Sequence, residues 1–290
     1  MIGTDLPLYN TSQEIQMPFE KINGREIYYE SHGHGETIVL LHHGFGCSKI
    51  WKNIYPGLVE SGYRIIMYDR IGYGKSEKRK DFEEYYLSDA FCSECIKELA
   101  ALREVLGFES FHIVGQCEGG VIGTKYAVEY PEQVKTVTTS STQCYSKITM
   151  AEFNRLKFPS KFQELEPKLK EKFTDWHDID HAESYYNLFA KYGGAYGIGC
   201  FDLRETLRLV TCPSLVLYPD RSALFDVDQA VAFYQSLPKG ELAILPKCGH
   251  NTYDQRPREY VISILDFLER TRSAGTTSVN SDPQKITCLA

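Results

Sequence analysis

The chain has 290 residues, of which 42% are hydrophobic and 24% are charged, and its formal net charge is -7. This composition fits one large globular domain with an insertion. Because the chain is mildly acidic and lacks basic clusters, neither nucleic acid nor a membrane surface is an expected partner. No apolar run reaches the ~18 residues that span a bilayer, and the polar start MIGTDLPLYNTSQEIQ does not have the order of a secretion signal.

The cysteines indicate a reducing compartment. Nine of them are scattered through apolar segments, and an odd number without an export signal favours free thiols over a disulfide framework. We therefore expect a cytoplasmic protein.

The first half of the chain alternates between strand and helix patterns. FEKINGREIYYESHG predicts a hairpin with a tight Asn-Gly turn, and ETIVLLHHGFG predicts a buried strand. A helix follows at SKIWKNIYPGLVESG, then the strand YRIIMYD, a helix at 88–106 and the strand FHIVG. Further on come the helix GGVIGTKYAVEYP and the strand VKTVTTSS. This order predicts an α/β fold, with a mostly parallel sheet that carries helices on both faces.

The alternation of strand and helix patterns stops after Ser141. Residues 143–206 contain no buried strand run and predict several helices rich in large aromatic side chains. Strand and helix patterns then resume, ending in a helix through EYVISILDFLERT and the polar sequence SAGTTSVNSDPQ. We expect a core at 18–142 and 207–272, a helical cap at 143–206, and a disordered tail at 273–290.

The stretch GQCEGG at 115–120 follows a predicted strand and opens a predicted helix. Its spacing, Gly-x-nucleophile-x-Gly, is typical of a sharp turn that exposes a reactive side chain above a sheet. The glycines are required because the strained turn leaves no room for larger neighbours. Serine is the usual central residue, and this chain has Cys117 in its place.

Four motifs in this order resemble those of the α/β-hydrolase superfamily. They are His43-Gly44-Phe45, the Asp-Arg-x-Gly-x-Gly-x-Ser loop at 69–76, the turn at 115–120, and Gly249-His250. The resemblance covers about residues 18–272, and the helical segment at 143–206 falls where this superfamily carries its cap. It implies a cysteine nucleophile at Cys117 and a catalytic base at His250.

A cysteine changes the chemistry expected of this turn. Free cysteine has a pKa of ~8.5, and a neighbouring imidazole or a helix N-terminus can lower that value until a thiolate persists. We therefore expect Cys117 and His250 to form an ion pair. Transfer of an acyl group from a carrier thioester to Cys117 would exchange one thioester for another.

The sequence leaves open which residue serves as the acid of the expected triad. The superfamily pattern puts Ser222 where an aspartate is usual, so Asp220 at the strand end is the favoured substitute. Asp226 is less favoured, because its sequence predicts a helix N-cap with Gln229 closing a capping box. A third reading has no acid at all, which a cysteine–histidine pair tolerates better than a serine does.

The resemblance also implies an oxyanion hole built from the backbone N–H groups of Phe45 and Glu118. The Glu118 side chain is expected to face solvent, because a carboxylate beside a thiolate would raise the thiol pKa.

Cap aromatics, among them Trp176, Tyr186 and Phe189, are expected to contact an apolar substrate. His177 and His181 have the i,i+4 spacing of a metal pair, but the sequence offers no third ligand. The two histidines are therefore expected on a solvated helix face, and neither a metal nor another cofactor is predicted.

These features are similar to those of stand-alone thioesterases that release polyketide or fatty acyl chains. The leading hypothesis is an acyl hydrolase that forms a Cys117 acyl-enzyme from a small hydrophobic substrate, which an acyl-carrier protein can deliver. Water or the substrate's own hydroxyl, by macrolactonisation, would then release the product. The alternatives are a non-covalent lyase or cyclase, a catalytically silent binding protein, and an ordinary serine esterase in which Cys117 replaces the natural serine.

Overall fold

The computed structural model describes residues 18–276. Within that range eight strands form one sheet in the order β1-β2-β4-β3-β5-β6-β7-β8. β1 pairs with β2 and β2 with β4 in antiparallel fashion, and every other neighbouring pair is parallel. The strands are β1 Phe19–Ile22, β2 Arg25–His32, β3 Thr37–Leu41, β4 Arg64–Tyr68, β5 Phe111–Gln116, β6 Val134–Ser140, β7 Ser214–Pro219 and β8 Gly240–Leu245.

The helices lie between the strands, as the alternating pattern predicts. The core helices are α1 Tyr55–Glu60, α2 Phe82–Leu87, α3 Phe91–Val105, α4 Glu118–Glu129, α9 Val227–Ser236, α10 Thr252–Gln255 and α11 Pro257–Thr276. Between β6 and β7 lie α5 Met150–Lys157, α6 Pro167–His177, α7 Ala182–Phe189 and α8 Arg204–Leu207. Short 3-10 helices cover Ser48–Asn53, Phe162–Glu164 and Gly194–Tyr196.

The N-terminal hairpin follows from its turn residues. Asn23 and Gly24 connect β1 to β2 with φ angles of 50° and 79°. Asn and Gly tolerate this left-handed region, which explains the tight connection.

One predicted boundary and one predicted helix cap differ from the structure. α11 continues to Thr276, past the expected start of the tail at 273, and residues 277–290 lie outside the described range. Asp226 does precede α9, but its side chain makes no capping hydrogen bond. The Gln229 side chain instead accepts hydrogen bonds from the backbone N–H groups of Cys144 and Tyr145, both at 3.0 Å. The expected capping box is therefore absent, and Gln229 anchors the chain where it leaves the core.

The parallel strands bring distant loops to one edge of the sheet. β3, β5 and β7 are buried along their whole length. The loops that follow them, together with the loop after β8, lie at the carboxyl ends of the strands, where ligands bind in open α/β sheets. The helices between β6 and β7 contribute residues to the same region.

Candidate active site

Cys117 occupies the turn between β5 and α4 with a φ of 52° and a ψ of -113°. A positive φ is unusual for a residue with a side chain, and such strain is often found at functional sites. The flanking glycines permit it. A Cβ at Gly115 would collide with the backbone of Gly119, and one at Gly119 would collide with the carbonyl of Leu41.

The thiol is neutral at ordinary pH. The pKa of Cys117 is raised to about 12, mainly by burial and in smaller part by the nearby carboxylate of Glu118. Three interactions oppose this: a hydrogen bond with Tyr196, the backbone N–H of Glu118, and the positive charge of Arg70. The structure therefore favours a thiol over the expected resting thiolate, because the cost of burying the charge exceeds the contribution of these groups.

The hydrogen-bonding partner of the sulfur is a tyrosine. The Cys117 Sγ and the Tyr196 hydroxyl oxygen are 3.5 Å apart. In the described chain no hydrogen bond joins Cys117 to His250, although both side chains line the same cavity. His250 therefore lines the same cavity as the sulfur without a hydrogen bond to it.

His250 is held by its backbone and by ring packing. Its carbonyl accepts hydrogen bonds from Gln116 Nε2 at 2.9 Å and from the Ser141 hydroxyl at 2.8 Å. The ring of Phe225 packs edge-on against the imidazole, with the ring centres 5.4 Å apart. Burial lowers the pKa of His250 to about 4, so the imidazole is neutral and can accept a proton.

No carboxylate contacts His250 in the part of the chain that the structure describes. Its Nδ1 lies 3.4 Å from the hydroxyl of Ser222, where the superfamily pattern has an aspartate. The favoured acid, Asp220, instead forms an ion pair with Arg221 at 2.9 Å and accepts a hydrogen bond from the backbone N–H of Cys248 at 3.0 Å. These contacts hold the carboxylate of Asp220 on the turn that precedes His250, away from the imidazole. Asp226 does not contact the imidazole either.

The two expected oxyanion donors differ in availability. The backbone N–H of Glu118 lies beside the sulfur. The backbone N–H of Phe45 donates to Nδ1 of His43 at 3.2 Å. Nε2 of His43 therefore carries the ring hydrogen, and it donates to the Tyr253 hydroxyl oxygen at 3.0 Å. A substrate oxygen would have to displace His43 Nδ1 to gain the Phe45 donor.

His177 fixes the loop that carries Phe45. Its Nδ1 accepts from the backbone N–H of Gly74 at 3.4 Å, so its Nε2 donates to the carbonyl of Phe45 at 2.9 Å. The expected solvated position is wrong for His177, which is buried, whereas His181 is partly exposed and pairs with Asp178. Within residues 18–276 no group of three or more possible ligands is arranged to hold a metal ion.

Glu118 faces inward rather than toward solvent. Its carboxylate lies 2.7 Å from the guanidinium of Arg70, and both side chains are at most 2% exposed. The second carboxylate oxygen accepts a hydrogen bond from the backbone N–H of Ala195 at 3.0 Å. The expected outward orientation of Glu118 is wrong, because its carboxylate pairs with the buried Arg70, which lies 48 residues earlier in the chain.

Cys117 and His250 face a cavity of about 270 Å³ beneath the helices that follow β6. Trp176 and Tyr186 lie in its wall, as expected. Phe189 does not line the cavity. Its side chain stacks on Tyr73 at 5.3 Å between ring centres and supports the wall from behind.

The cavity wall carries little charge. Its charged residues are Glu118, which pairs with Arg70, and Lys172, whose Nζ lies 3.2 Å from the carboxylate of Asp254. Most of the other lining residues are aromatic or aliphatic, and the polar ones include Asn154, Asn251 and four tyrosines. Such a surface suits an apolar ligand with few polar groups.

Sequence reasoning did not single out Tyr196 or the buried position of His177. Tyr196 lies 79 residues after Cys117, and no local spacing marks their contact. The aromatic density of the cap is the signal that includes Tyr196, but it does not rank one aromatic residue above another.

Comparison with known proteins finds similarity to α/β hydrolases. Residues 36–174 match the family model described as alpha/beta hydrolase fold. A proline iminopeptidase of Lactobacillus helveticus is 26% identical over 295 residues, covering 89% of this chain and 98% of that protein. A 2-hydroxy-6-oxo-6-phenylhexa-2,4-dienoate hydrolase of Burkholderia cepacia is 22% identical over 289 residues, covering 91% and 99%.

Solved structures agree on the fold. The crystal structure of a bromoperoxidase from Bacillus anthracis superimposes with a TM-score of 0.69 at 21% identity, covering 87% of this chain and 99% of that one. In the described range, no helix combines the length and the apolar character needed to cross a membrane. The chain has the α/β-hydrolase fold, and its residues 36–174 are similar to the family of that name.

Proposed function

We propose that this protein hydrolyses a small hydrophobic ester or thioester through an acyl-enzyme on Cys117. The observation that carries this proposal is the single cavity on which both the strained Cys117 and the neutral imidazole of His250 lie. A nucleophile and a base beside one substrate-sized space are the minimum that covalent acyl transfer requires.

The cavity limits the size of the acyl group. Its volume of about 270 Å³ lies near the lower end of the ~300–1,000 Å³ that is usual for small-molecule sites. A short aliphatic or single-ring acyl group fits within this volume, whereas a long polyketide chain would extend out through the open side of the cavity.

In the proposed reaction His250 is the sole base. The sulfur attacks the carbonyl carbon as its proton passes to His250, the carbonyl electrons move to oxygen, and collapse expels an alcohol or thiol that takes the proton. Water then attacks the acyl-cysteine with His250 again accepting a proton, which returns to the sulfur when the acid leaves. Because the resting thiol and imidazole are both neutral, we expect each proton transfer to accompany bond formation.

A second candidate is a reaction in which Cys117 is not acylated. The observation that favours it is the neutral thiol, which is hydrogen-bonded to Tyr196 and not to His250. His250 would then activate water or remove a proton directly, and Cys117 would shape the cavity. A lyase, a cyclase or a water-adding hydrolase all fit this mode.

The activities of the named relatives differ in how well they suit this cavity. An iminopeptidase activity would require the site to bind a protonated imino group, and such a cation needs a nearby carboxylate. The carboxylate in the described cavity wall belongs to Glu118, which Arg70 already neutralises. The phenyl group of a phenylhexadienoate suits the aromatic wall better, and its carboxylate would have to compete with Asp254 for Lys172.

The test is steady-state turnover across a substrate panel. The panel holds short acyl thioesters, p-nitrophenyl esters, a phenylhexadienoate and a proline anilide, each assayed with wild type, Cys117→Ala, His250→Ala and Cys200→Ala. The proposal predicts thioester or ester turnover that Cys117→Ala and His250→Ala both abolish and that Cys200→Ala, altered at an exposed cysteine, leaves intact. Turnover that survives Cys117→Ala but not His250→Ala would select the second candidate.

A further inference from the structure

Tyr196 is the described side chain that hydrogen-bonds to the sulfur of Cys117. It lies in a short 3-10 helix that follows α7, its ring is 8% exposed, and it lines the same cavity. The separation between its oxygen and the sulfur, 3.5 Å, is within hydrogen-bonding range for sulfur. No motif of the sequence assigns this residue a role.

The hydrogen of the Tyr196 hydroxyl is available to the sulfur. The backbone N–H of Gln143 donates to the tyrosine oxygen at 3.3 Å and so occupies one of its lone pairs. A thiolate can only accept hydrogen bonds, so the phenol must be the donor whenever the sulfur is anionic. The same N–H polarises the phenol and strengthens its donation.

The Tyr196 ring is held from several sides. It packs edge-on against Phe201 with the ring centres 4.8 Å apart. The preceding residue, Ala195, donates its backbone N–H to the buried carboxylate of Glu118 at 3.0 Å. Glu118 directly follows Cys117 in the chain, so a single ion-paired carboxylate ties the segment of Tyr196 to the turn of the nucleophile.

We propose that Tyr196 is a catalytic residue, which donates a hydrogen bond to the Cys117 sulfur whenever that sulfur carries negative charge. In the cycle proposed above, on which this role rests, the need is greatest as the C–S bond breaks and its electron pair returns to sulfur. The phenol keeps its own proton throughout, and the proton that restores the thiol comes from His250. Tyr196 thus supplies part of the stabilisation that the absent acid does not.

The experiment measures the reactivity of the thiol without any substrate. Iodoacetamide alkylation of Cys117 is followed by peptide mass spectrometry from pH 6 to pH 10 in wild type, Tyr196→Phe and Tyr192→Phe. Tyr192 is the matched control, because it lines the same cavity and makes no hydrogen bond to Cys117 in the described structure. Only folded variants with a melting temperature near that of wild type are compared.

Loss of a hydrogen bond to a charged group predicts alkylation about tenfold slower, or more, at every pH in Tyr196→Phe. Tyr192→Phe should remain within about twofold of wild type. Equal rates for Tyr196→Phe and wild type, or an equal loss in Tyr192→Phe, would overturn the role. If Tyr196→Phe does not fold, the test uses 3-fluorotyrosine at position 196. Its more acidic phenol should speed the alkylation of Cys117. An unchanged or slower rate would overturn the proposal.

This readout also separates the two proposals. If alkylation is slow in Tyr196→Phe and every acyl substrate fails, the hydrogen bond from Tyr196 to the sulfur is supported and the acyl-enzyme is rejected. If acyl substrates turn over and alkylation is unchanged in Tyr196→Phe, the acyl-enzyme is supported and the role of Tyr196 is rejected.

Discussion

The carboxylate of Glu118 lies 2.7 Å from the guanidinium of Arg70, and the two side chains are almost completely buried directly behind the nucleophile turn. Arg70 also donates to the carbonyl of His42 at 2.7 Å, so the pair joins the loop after β3 to the start of α4. The pKa of Arg70 is raised by this carboxylate, and its guanidinium remains charged. The pair therefore fixes the backbone on both sides of the proposed oxyanion hole.

Glu118→Gln should destabilise the fold, because it leaves the buried cation of Arg70 unpaired. Breaking a buried pair in this way costs about 3–5 kcal/mol, which urea unfolding followed by circular dichroism would measure. Glu94→Gln is the control, since Glu94 pairs with Lys97 on the exposed face of α3 and its loss should change little. Similar small effects for both variants would show that the Glu118–Arg70 pair does not support the fold.

The acid limb of the pH–rate profile should lie near pH 4. His250 has a pKa lowered to about 4, so its imidazole is a neutral base above that pH and becomes protonated, and inactive, as the pH falls through it. The measurement is kcat/KM on an active ester between pH 3.5 and pH 8. A limb at pH 6 to 7 would mean that the imidazolium is stabilised by a partner and would contradict the account.

Ser222→Asp should install the acid that the site does not have. A carboxylate at the position of the Ser222 hydroxyl, 3.4 Å from His250 Nδ1, would stabilise the imidazolium and could still accept the backbone N–H groups of Leu224 and Phe225. Loss of the acid in serine triads costs about 10⁴-fold, and we expect a gain of at least about tenfold in kcat/KM at pH 7.

The same Ser222→Asp substitution should move the acid limb to higher pH. Asp220→Asn is the comparison variant and should leave the limb in place, because Asp220 does not contact His250. A strong loss of activity in Asp220→Asn, without loss of folded protein, would restore Asp220 as the acid.

His177→Leu should weaken catalysis from the far side of the oxyanion loop. The substitution removes the donor to the carbonyl of Phe45 and frees the loop that carries the Phe45 N–H. A misplaced oxyanion donor is expected to lower kcat by about tenfold with a smaller change in KM. His177→Gln keeps an N–H donor and should recover part of the loss.

His181→Leu is the control for that prediction, since His181 is partly exposed and pairs with Asp178. Equal activity in His177→Leu and wild type would show that the loop does not depend on this hydrogen bond.

The sequence was sufficient for the order of strands and helices and for the positions of Cys117 and His250. Those features depend on local patterns: the period of apolar residues, the glycines that flank Cys117, and motifs in a fixed chain order. Ser222 was also located by counting along one loop. The prediction failed where a side chain has a choice of partners.

Three residues illustrate that failure. Glu118 was expected in solvent because a carboxylate beside a thiolate would raise the thiol pKa, yet Arg70 reaches it from another loop and pairs with it. His177 was expected on an exposed face because the sequence offers no third metal ligand, and helical spacing does not reveal that the loop of Phe45 packs against it. The thiol of Cys117 was expected to ionise because an imidazole and a helix N-terminus would lower its pKa, but the local sequence does not show how far the thiol is buried.

The central claim is that Cys117 becomes acylated. Intact-protein mass spectrometry after rapid acid quench, with a short acyl thioester in excess, tests it directly. The account predicts a mass increase of one acyl group that peptide mapping assigns to Cys117 and that Cys117→Ala does not show. Turnover of the same thioester with no adduct on Cys117 at any quench time, and undiminished in Cys117→Ala, would contradict it.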